Sequence, residues 1–348
     1  MDEQRLMNFV GKAVGDIGTL LNGALVVIGD RLGLYRAMAD GQSITPAQLA
    51  EKTGTTTRYL HEWLNAQVGG GYVTYEGNGH YSLPAEYAVA LTDESSPACV
   101  IGGYELALAA VHSTDRLTEA FRTGAGIGWG EHHEDLYPGC ERFFGPSYRN
   151  FIGSEWIPSL NGVDAALNAG ASVADIGCGL GVSTVAMAKS YPAATFVGFD
   201  QHDASVELAR VRASEAGLAD RVSFEVGTAR DFPGGYDLIT VCDALHDMGD
   251  PAGAAAHARQ ALRPGGTLMV VEPLAGDSIE QNQNPVSTAY YAFSNFLCTP
   301  SSLSQEGAMA LGAQAGEARL TAILHGAGFS SVRRAAETSL NMVLEAKV

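Results

Sequence analysis

The chain reads as an α/β protein, a helix-covered parallel sheet closed by an antiparallel hairpin and preceded by a smaller, mainly helical module. Three observations carry this reading. From about Ser172 onward, five short apolar runs alternate with helical segments, the rhythm of strand, helix, strand units. The first of these runs ends in a glycine turn, Asp175-Ile176-Gly177-Cys178-Gly179-Leu180-Gly181, that leads into a helix. Residues 45–83 lay out two short helices and then a hairpin. At roughly 150 residues per domain, 348 residues suffice for two folded bodies.

Between Arg5 and Met38, apolar residues such as Leu20, Leu21, Ala24, Leu25 and Ile28 recur at helical spacing on more than one face. Such a helix packs on two partners, so a dimer contact and a domain core both satisfy the pattern. Thr45-Pro46-Ala47-Gln48 then starts a helix: Thr45 caps it, Pro46 suits its first turn, and Gln48 closes a capping box. This helix runs to about Lys52. A second, from Thr56, presents Tyr59, Leu60, Trp63 and Leu64 at three- and four-residue spacing and stops at Gly69-Gly70-Gly71. Tyr72 to Tyr75 and His80 to Leu83 alternate like strands around Gly77-Asn78-Gly79.

Helix, helix and hairpin in this order are the parts of a winged helix. The second helix offers Arg58, His61 and Glu62, and the hairpin Glu76 and His80, whereas a reader of duplex DNA needs several Arg or Lys. Over the whole chain, 21 Lys and Arg stand against 39 Asp and Glu, a formal net charge of -18. No nucleic-acid partner is expected, because phosphate tracking needs clustered cations. The module reads instead as scaffold, lid or dimer surface. The acidity keeps a surface soluble and also suits a cationic small ligand.

Residues 97–167 are helical again, broken by the run Gly124 to Gly130. His132, His133 and Glu134 read as loop residues, since adjacent side chains diverge and no second cluster accompanies them; no metal is expected. The strands of the sheet follow at Ser172–Ile176, Thr195–Phe199, Val222–Val226, Leu238–Cys242 and Thr267–Val271. Ser331–Ala335 and Leu340–Glu345 lie too close for a crossover helix and form an antiparallel pair at the sheet edge. The Ser-, Gln-, Asn- and Gly-rich stretch before that pair is where a lid or specificity element belongs. The expected boundaries are 1–95 for the small module, 96–160 for a helical linker and lid region, and 161–348 for the sheet domain with an insertion at 273–316.

Cys99, Cys140, Cys178, Cys242 and Cys298 form no C-x-x-C pair, and the start lacks a cationic leader. Reduced thiols and a cytoplasmic location are expected. The most apolar stretch, Ile17 to Ile28, falls short of the ~20 residues that cross a bilayer, so no membrane partner is expected.

The glycine spacing is G-x-G-x-G, with Asp175 two residues ahead of it. A carboxylate there disfavours a pyrophosphate and suits a ligand whose amino-acid part carries an ammonium group. The second strand ends in Gly198-Phe199-Asp200, which places an acid where ribose hydroxyls can donate to it. A cationic nucleoside satisfies both.

On these residues the sheet domain resembles the class I S-adenosylmethionine-dependent methyltransferases, whose sheet is Rossmann-like and seven-stranded. The resemblance implies S-adenosyl-L-methionine as cofactor and S-adenosyl-L-homocysteine as product. It places Asp175, Gly177, Cys178, Gly179 and Gly181 under the methionine part, Asp200 and Gln201 at the ribose, and Thr228 and Ala229 beside adenine, with Asp243 completing the set. Gly227-Thr228-Ala229 departs from the Asp that many members carry there.

Val241-Cys242-Asp243-Ala244-Leu245-His246-Asp247-Met248 carries Leu-His-Asp as plant-type small-molecule O-methyltransferases do, and those also have an N-terminal winged-helix dimerisation domain. The chain is similar, more closely, to bacterial methyltransferases with an Ala-Leu-His-Asp-Met type motif; Met248 stands where the plant type has Trp. The resemblance implies a homodimer, a small-molecule acceptor with a phenolic or other hydroxyl oxygen, and His246 as general base. An imidazole near its ordinary pKa of ~6.5 takes a phenol's proton as the methyl arrives. Glu272, just after the fifth strand, is placed to orient it as the third member of a triad does. Trp129, Phe144, Tyr148 and Tyr291 are expected walls for a flat acceptor. Two rival readings stay open: methyl transfer to nitrogen or carbon by proximity without a base, and a cofactor-sensing regulator that uses the winged helix on DNA.

Overall fold

The computed structural model describes residues 1–348. The chain divides into two compact units, Met1–Leu108 with Asp135–Pro146, and Ala109–Glu134 with Ser147–Val348. The expected linker at 96–160 is therefore no body of its own. Part of it is built into the first unit: a Cβ on Gly139 would lie 2.7 Å from the Leu106 amide, and Arg142 pairs with Asp30, Glu94 and Glu105 at 2.8, 2.7 and 2.9 Å.

In the first unit, the helix Glu3–Arg31 starts at Asp2, whose carboxylate accepts from the Arg5 amide. It stops short of the expected Met38 because Gly33 turns left-handed at φ 68° before a separate helix, Leu34–Met38. Helix Pro46–Thr53 carries the capping box of Thr45 and Gln48. Helix Thr57–Gly69 buries Leu60, Trp63 and Leu64. Strands β1 (Thr74–Gly77) and β2 (His80–Ser82) close the winged-helix pattern. Trp63 sits over Gly29, where a Cβ would collide with its ring, and its indole N–H donates to the Leu25 carbonyl at 2.9 Å.

The outer part of the first helix leaves Phe9, Val14, Ile17, Leu20 and Leu21 exposed. At 29 residues the whole helix is long and apolar enough to cross a membrane, which Ile17–Ile28 alone is not. Asn22, Val26, Val27 and Gly29 nevertheless lie buried in the first unit.

The second unit holds a seven-stranded sheet in the order β5-β4-β3-β6-β7-β9-β8. Its strands are β3 (Ser172–Ile176), β4 (Thr195–Asp200), β5 (Val222–Val226), β6 (Tyr236–Cys242), β7 (Leu262–Pro273), β8 (Ser331–Glu337) and β9 (Asn341–Lys347). The first five are parallel; β9 runs antiparallel between β7 and β8. Val173, Ala174, Ile239 and the run Leu268 to Val271 are almost wholly buried, as strands covered on both faces must be. Strand order reverses between β3 and β6, so the crevice beyond their carboxyl ends is where such a sheet receives a ligand. The insertion after β7 carries helices Pro285–Phe293 and Thr299–Leu303, joined by a wide turn at Ser294–Cys298.

Candidate active site

The glycine turn after β3 forms because Gly177, Gly179 and Gly181 take φ values of 69°, 50° and 76°, a region that side chains disfavour. The amides of Gly177 and Cys178 donate to the Phe199 carbonyl, which pins the turn to the end of β4. A Cβ on Gly177 would also lie 2.8 Å from that of Ala244.

Beyond this turn opens a cleft of about 450 Å³, the size of a small-ligand site. Gly177, Gly179, Asp200, Gln201, Thr228, Ala229 and Asp243 from the expected cofactor set line it. Asp200 accepts from the Gly179 amide through Oδ2 at 2.8 Å and from the His202 amide through Oδ1 at 2.9 Å. Each oxygen keeps a lone pair for a ligand hydroxyl. Burial pushes the Asp200 carboxyl up, and the amides of His202, Gly179 and Gln201, with the His202 ring, draw it back.

Three expected cofactor residues do not line the cleft. Asp175 is buried beneath the turn, where it accepts from Ser183 Oγ at 2.6 Å, Thr184 Oγ1 at 2.7 Å and Thr240 Oγ1 at 2.7 Å. Its side chain ties β3 to the following helix and to β6, which corrects the expectation that it meets a ligand ammonium. Cys178 is buried with its sulfur against Gly198, and burial holds its thiol well above the ordinary range. Gly181 packs under Phe224 and Ala209, leaving no room for a side chain.

Asp243 follows β6 in the left-handed region, at φ 48°. Its amide donates to the Val271 carbonyl, its Oδ2 accepts from the Tyr148 hydroxyl at 2.7 Å, and its Oδ1 accepts from Asn341 Nδ2 at 2.8 Å. Burial pushes this carboxyl up to about 7. Tyr148 thus holds Asp243 and is absent from the cleft wall.

His246 stands in the tight turn Leu245–Asp247 and is buried. Cys242 pairs with Val271 between β6 and β7, which brings Glu272 alongside this turn. His246 Nδ1 lies 2.5 Å from Glu272 Oε2, while Glu272 Oε1 accepts from the amides of Leu245 at 3.0 Å and His246 at 3.3 Å. On the other side of the ring, Nε2 is 3.3 Å from Asp247 Oδ1, and Cys298 Sγ lies within 4.8 Å of both atoms. Burial works against a charged imidazole, yet the carboxylates of Glu272 and Asp247 hold His246 well above its ordinary 6.5. The imidazole itself does not line the cleft; Asp247 and Met248 do. The ring lies behind these neighbours, with Nδ1 against Glu272 and Nε2 against Asp247.

Of the expected acceptor walls, Trp129 lines the cleft. Phe144 belongs to the first unit, where it packs edge-on against Phe143. Tyr291 is partly exposed on the insertion, and its hydroxyl accepts from Asn282 Nδ2. The sequence reading missed Arg230, Asp250, Gln305 and Glu306, which also line the cleft. Arg230 pairs with Asp250 at 3.2 Å and with Glu306 at 2.6 Å. No local motif announces this group, because Glu306 reaches it only through the path of the insertion.

Fold and cleft define the class: a winged-helix module followed by a Rossmann-like α/β sheet with a C-terminal antiparallel hairpin and a cleft at its switch point. The families are narrower. Residues 167–316 match the family described as methyltransferase domain, and residues 21–93 match the Rv2258c-like winged HTH domain. Over its whole length the chain is similar in fold to mitomycin 7-O-methyltransferase, at 21% identity and a TM-score of 0.70, covering 99% of this chain and 100% of that one. Human N-acetylserotonin methyltransferase in complex with SAM is similar at 17% identity and a TM-score of 0.64, covering 100% and 98%. A ubiquinone biosynthesis O-methyltransferase of Pseudomonas paraeruginosa is 31% identical over 125 residues, 35% of this chain and 50% of that protein. The chain spans half or less of the length of the first curated relatives it matches.

Proposed function

We propose that this chain transfers the methyl group of S-adenosyl-L-methionine to a hydroxyl oxygen, phenolic in the first instance, of a small molecule. The observation that carries the reading is the buried His246–Glu272 pair at 2.5 Å, next to Asp247 in the lining of a cleft of about 450 Å³. When bound, the cofactor supplies a methyl carbon activated by its positive sulfur. Gly177 and Gly179 admit it close to the backbone, and the free lone pairs of Asp200 accept from ribose hydroxyls. Thr228 and Ala229 flank the base, and the Asp243 carboxylate favours the positive end.

In this mechanism Glu272 accepts the Nδ1 proton of His246 in a hydrogen bond, leaving Nε2 as the proton acceptor. Nε2 faces Asp247 at 3.3 Å, so the Asp247 side chain turns aside for an acceptor hydroxyl to reach it. With the cofactor bound, His246 would take the hydroxyl proton at Nε2 as the methyl passes to the acceptor oxygen, with S-adenosyl-L-homocysteine as the leaving product. Glu272 stabilises the imidazolium so formed.

The exposed apolar face of helix Glu3–Arg31 supports a homodimer, since so much apolar surface on one helix marks an association site. Five free cysteines fit a reducing, cytoplasmic setting. On the winged-helix surface Arg58 is taken up by Glu62 at 2.7 Å, which disfavours the DNA-binding alternative.

A second reading rests on one observation. Because His246 does not line the cleft, transfer to nitrogen or carbon by proximity alone remains compatible with the geometry. Incubation with methyl-labelled cofactor and a panel of phenols and amines, with products identified by mass, separates the two. O-methyl products support the first reading, and products methylated only at nitrogen or carbon support the second.

A further inference from the structure

The turn that carries His246 is held from outside its own strand–helix unit. Gln305, in the insertion, donates from Nε2 to the Asp247 carbonyl at 2.9 Å and accepts from the Gly249 amide through Oε1 at 3.2 Å. Between these two points, Ser302 Oγ donates to the Met248 carbonyl at 2.8 Å, and the Met309 amide donates to the Gly249 carbonyl at 2.9 Å. Three consecutive carbonyls and one amide of the turn are thus satisfied by residues 302–309. The two backbones touch: a Cβ on Gly249 would collide with the Glu306 carbonyl, and one on Gly307 would lie 2.7 Å from the Gly249 carbonyl.

The same segment reaches the far side of the cleft. Glu306, next to Gln305, pairs with Arg230 at 2.6 Å, and Arg230 comes from the loop after β5, beside Thr228 and Ala229. Glu306 is 84% exposed and Arg230 43%, so this pair is screened by solvent and opens at little cost. Ala308 and Ala310 take φ values of 45° and 49°, which a side chain disfavours, and the Ala310 amide is held there by Ser302 Oγ at 2.9 Å. Ser302 within the segment and the Gly249 carbonyl of the His246 turn, which accepts from the Met309 amide, hold this disfavoured backbone in place.

We propose that residues 301–310 are a clamp over the cofactor cleft, in which Gln305 positions the His246 turn and Glu306 latches the segment to Arg230. Closure and placement of the base are then one event. A cofactor leaves only when the Glu306 latch opens, and opening draws Gln305 away from Asp247 and Gly249. This proposal rests on the cofactor assigned to the cleft above; the site's own residues supply the rest.

The test uses the full-length protein and S-adenosyl-L-homocysteine as probe, with release followed by the fluorescence of Trp129 in the cleft wall. In Glu306→Gln, release quickens several-fold, and raised salt produces the same acceleration in wild type but none further in the variant. Gln305→Met keeps the side-chain length and removes both hydrogen bonds to the turn together with those to Ser301; it lowers kcat by about tenfold to a hundredfold with little change in acceptor KM, as misplacement of a reacting group does. Unchanged release in Glu306→Gln, or unchanged kcat in Gln305→Met, overturns the clamp alone. If wild type binds no S-adenosyl-L-homocysteine, the cofactor assignment falls and the clamp falls with it.

Discussion

His246 Nδ1 lies 2.5 Å from Glu272 Oε2, and the second oxygen of that carboxylate takes the amides of Leu245 and His246 itself. One buried side chain therefore sets both the charge and the backbone of the turn. Its two jobs separate on substitution.

Glu272→Gln keeps the shape and removes the charge that raises the imidazole. A base works deprotonated, so wild-type activity is lost as pH falls through a value above 6.5. In Glu272→Gln that acid limb moves to lower pH, and the maximal rate falls because the imidazolium is less stabilised. The pH profile of kcat/KM for both proteins measures this.

Asp200→Ala removes the acceptor proposed for ribose and frees the amides of Gly179 and His202. Hydrogen bonds to a charged group contribute roughly 1.5–3 kcal/mol, so affinity for S-adenosyl-L-homocysteine drops by about tenfold to a hundredfold. Titration calorimetry reports it, and turnover at saturating cofactor changes less.

Asp243, raised to about 7 by burial, is partly protonated in the free protein near neutral pH. In the proposed site a cationic sulfur beside Asp243 favours the ionised form, so S-adenosyl-L-methionine binding near pH 7 releases a proton that S-adenosyl-L-homocysteine, whose sulfur is neutral, does not. Binding heats in buffers of different ionisation enthalpy count that proton, and Asp243→Asn abolishes it. The preference for methionine over homocysteine cofactor grows as pH rises through 7 and fades below it.

Asp175→Ala leaves Ser183, Thr184 and Thr240 without their shared acceptor in a site that is 1% exposed. Such a loss costs roughly 3 kcal/mol of stability, read as a lower urea midpoint. A variant of unchanged stability but weakened cofactor affinity would return Asp175 to the ligand contact first expected of it.

Strand β3 was legible to the residue, because a short apolar run that ends in a glycine turn leading into a helix has one reading. The hairpin at the sheet edge followed from the short connection between β8 and β9. Local pattern failed where a backbone feature cut across it: Gly33 breaks a continuous apolar helix. It failed again where direction depends on distant partners. Asp175 turns inward because hydroxyls from two other elements meet it, and Tyr148 points to Asp243, 95 positions away. His246 and Glu272 were legible as a pair since β6 and β7 are neighbours. That the ring sits behind the cleft lining, with Asp247 in front of Nε2, was not, because it depends on how a three-residue turn rotates its side chains. Gln305 and Glu306 carry no motif; only the docked insertion brings them to the cleft.

Single-turnover methyl transfer by His246→Ala, at saturating labelled S-adenosyl-L-methionine and with a phenolic acceptor that wild type methylates, tests the central claim most directly. The rate falls by about a hundredfold or more while S-adenosyl-L-homocysteine affinity holds, as loss of a general base requires. Transfer at the wild-type rate, or equal loss of binding and rate, would contradict it.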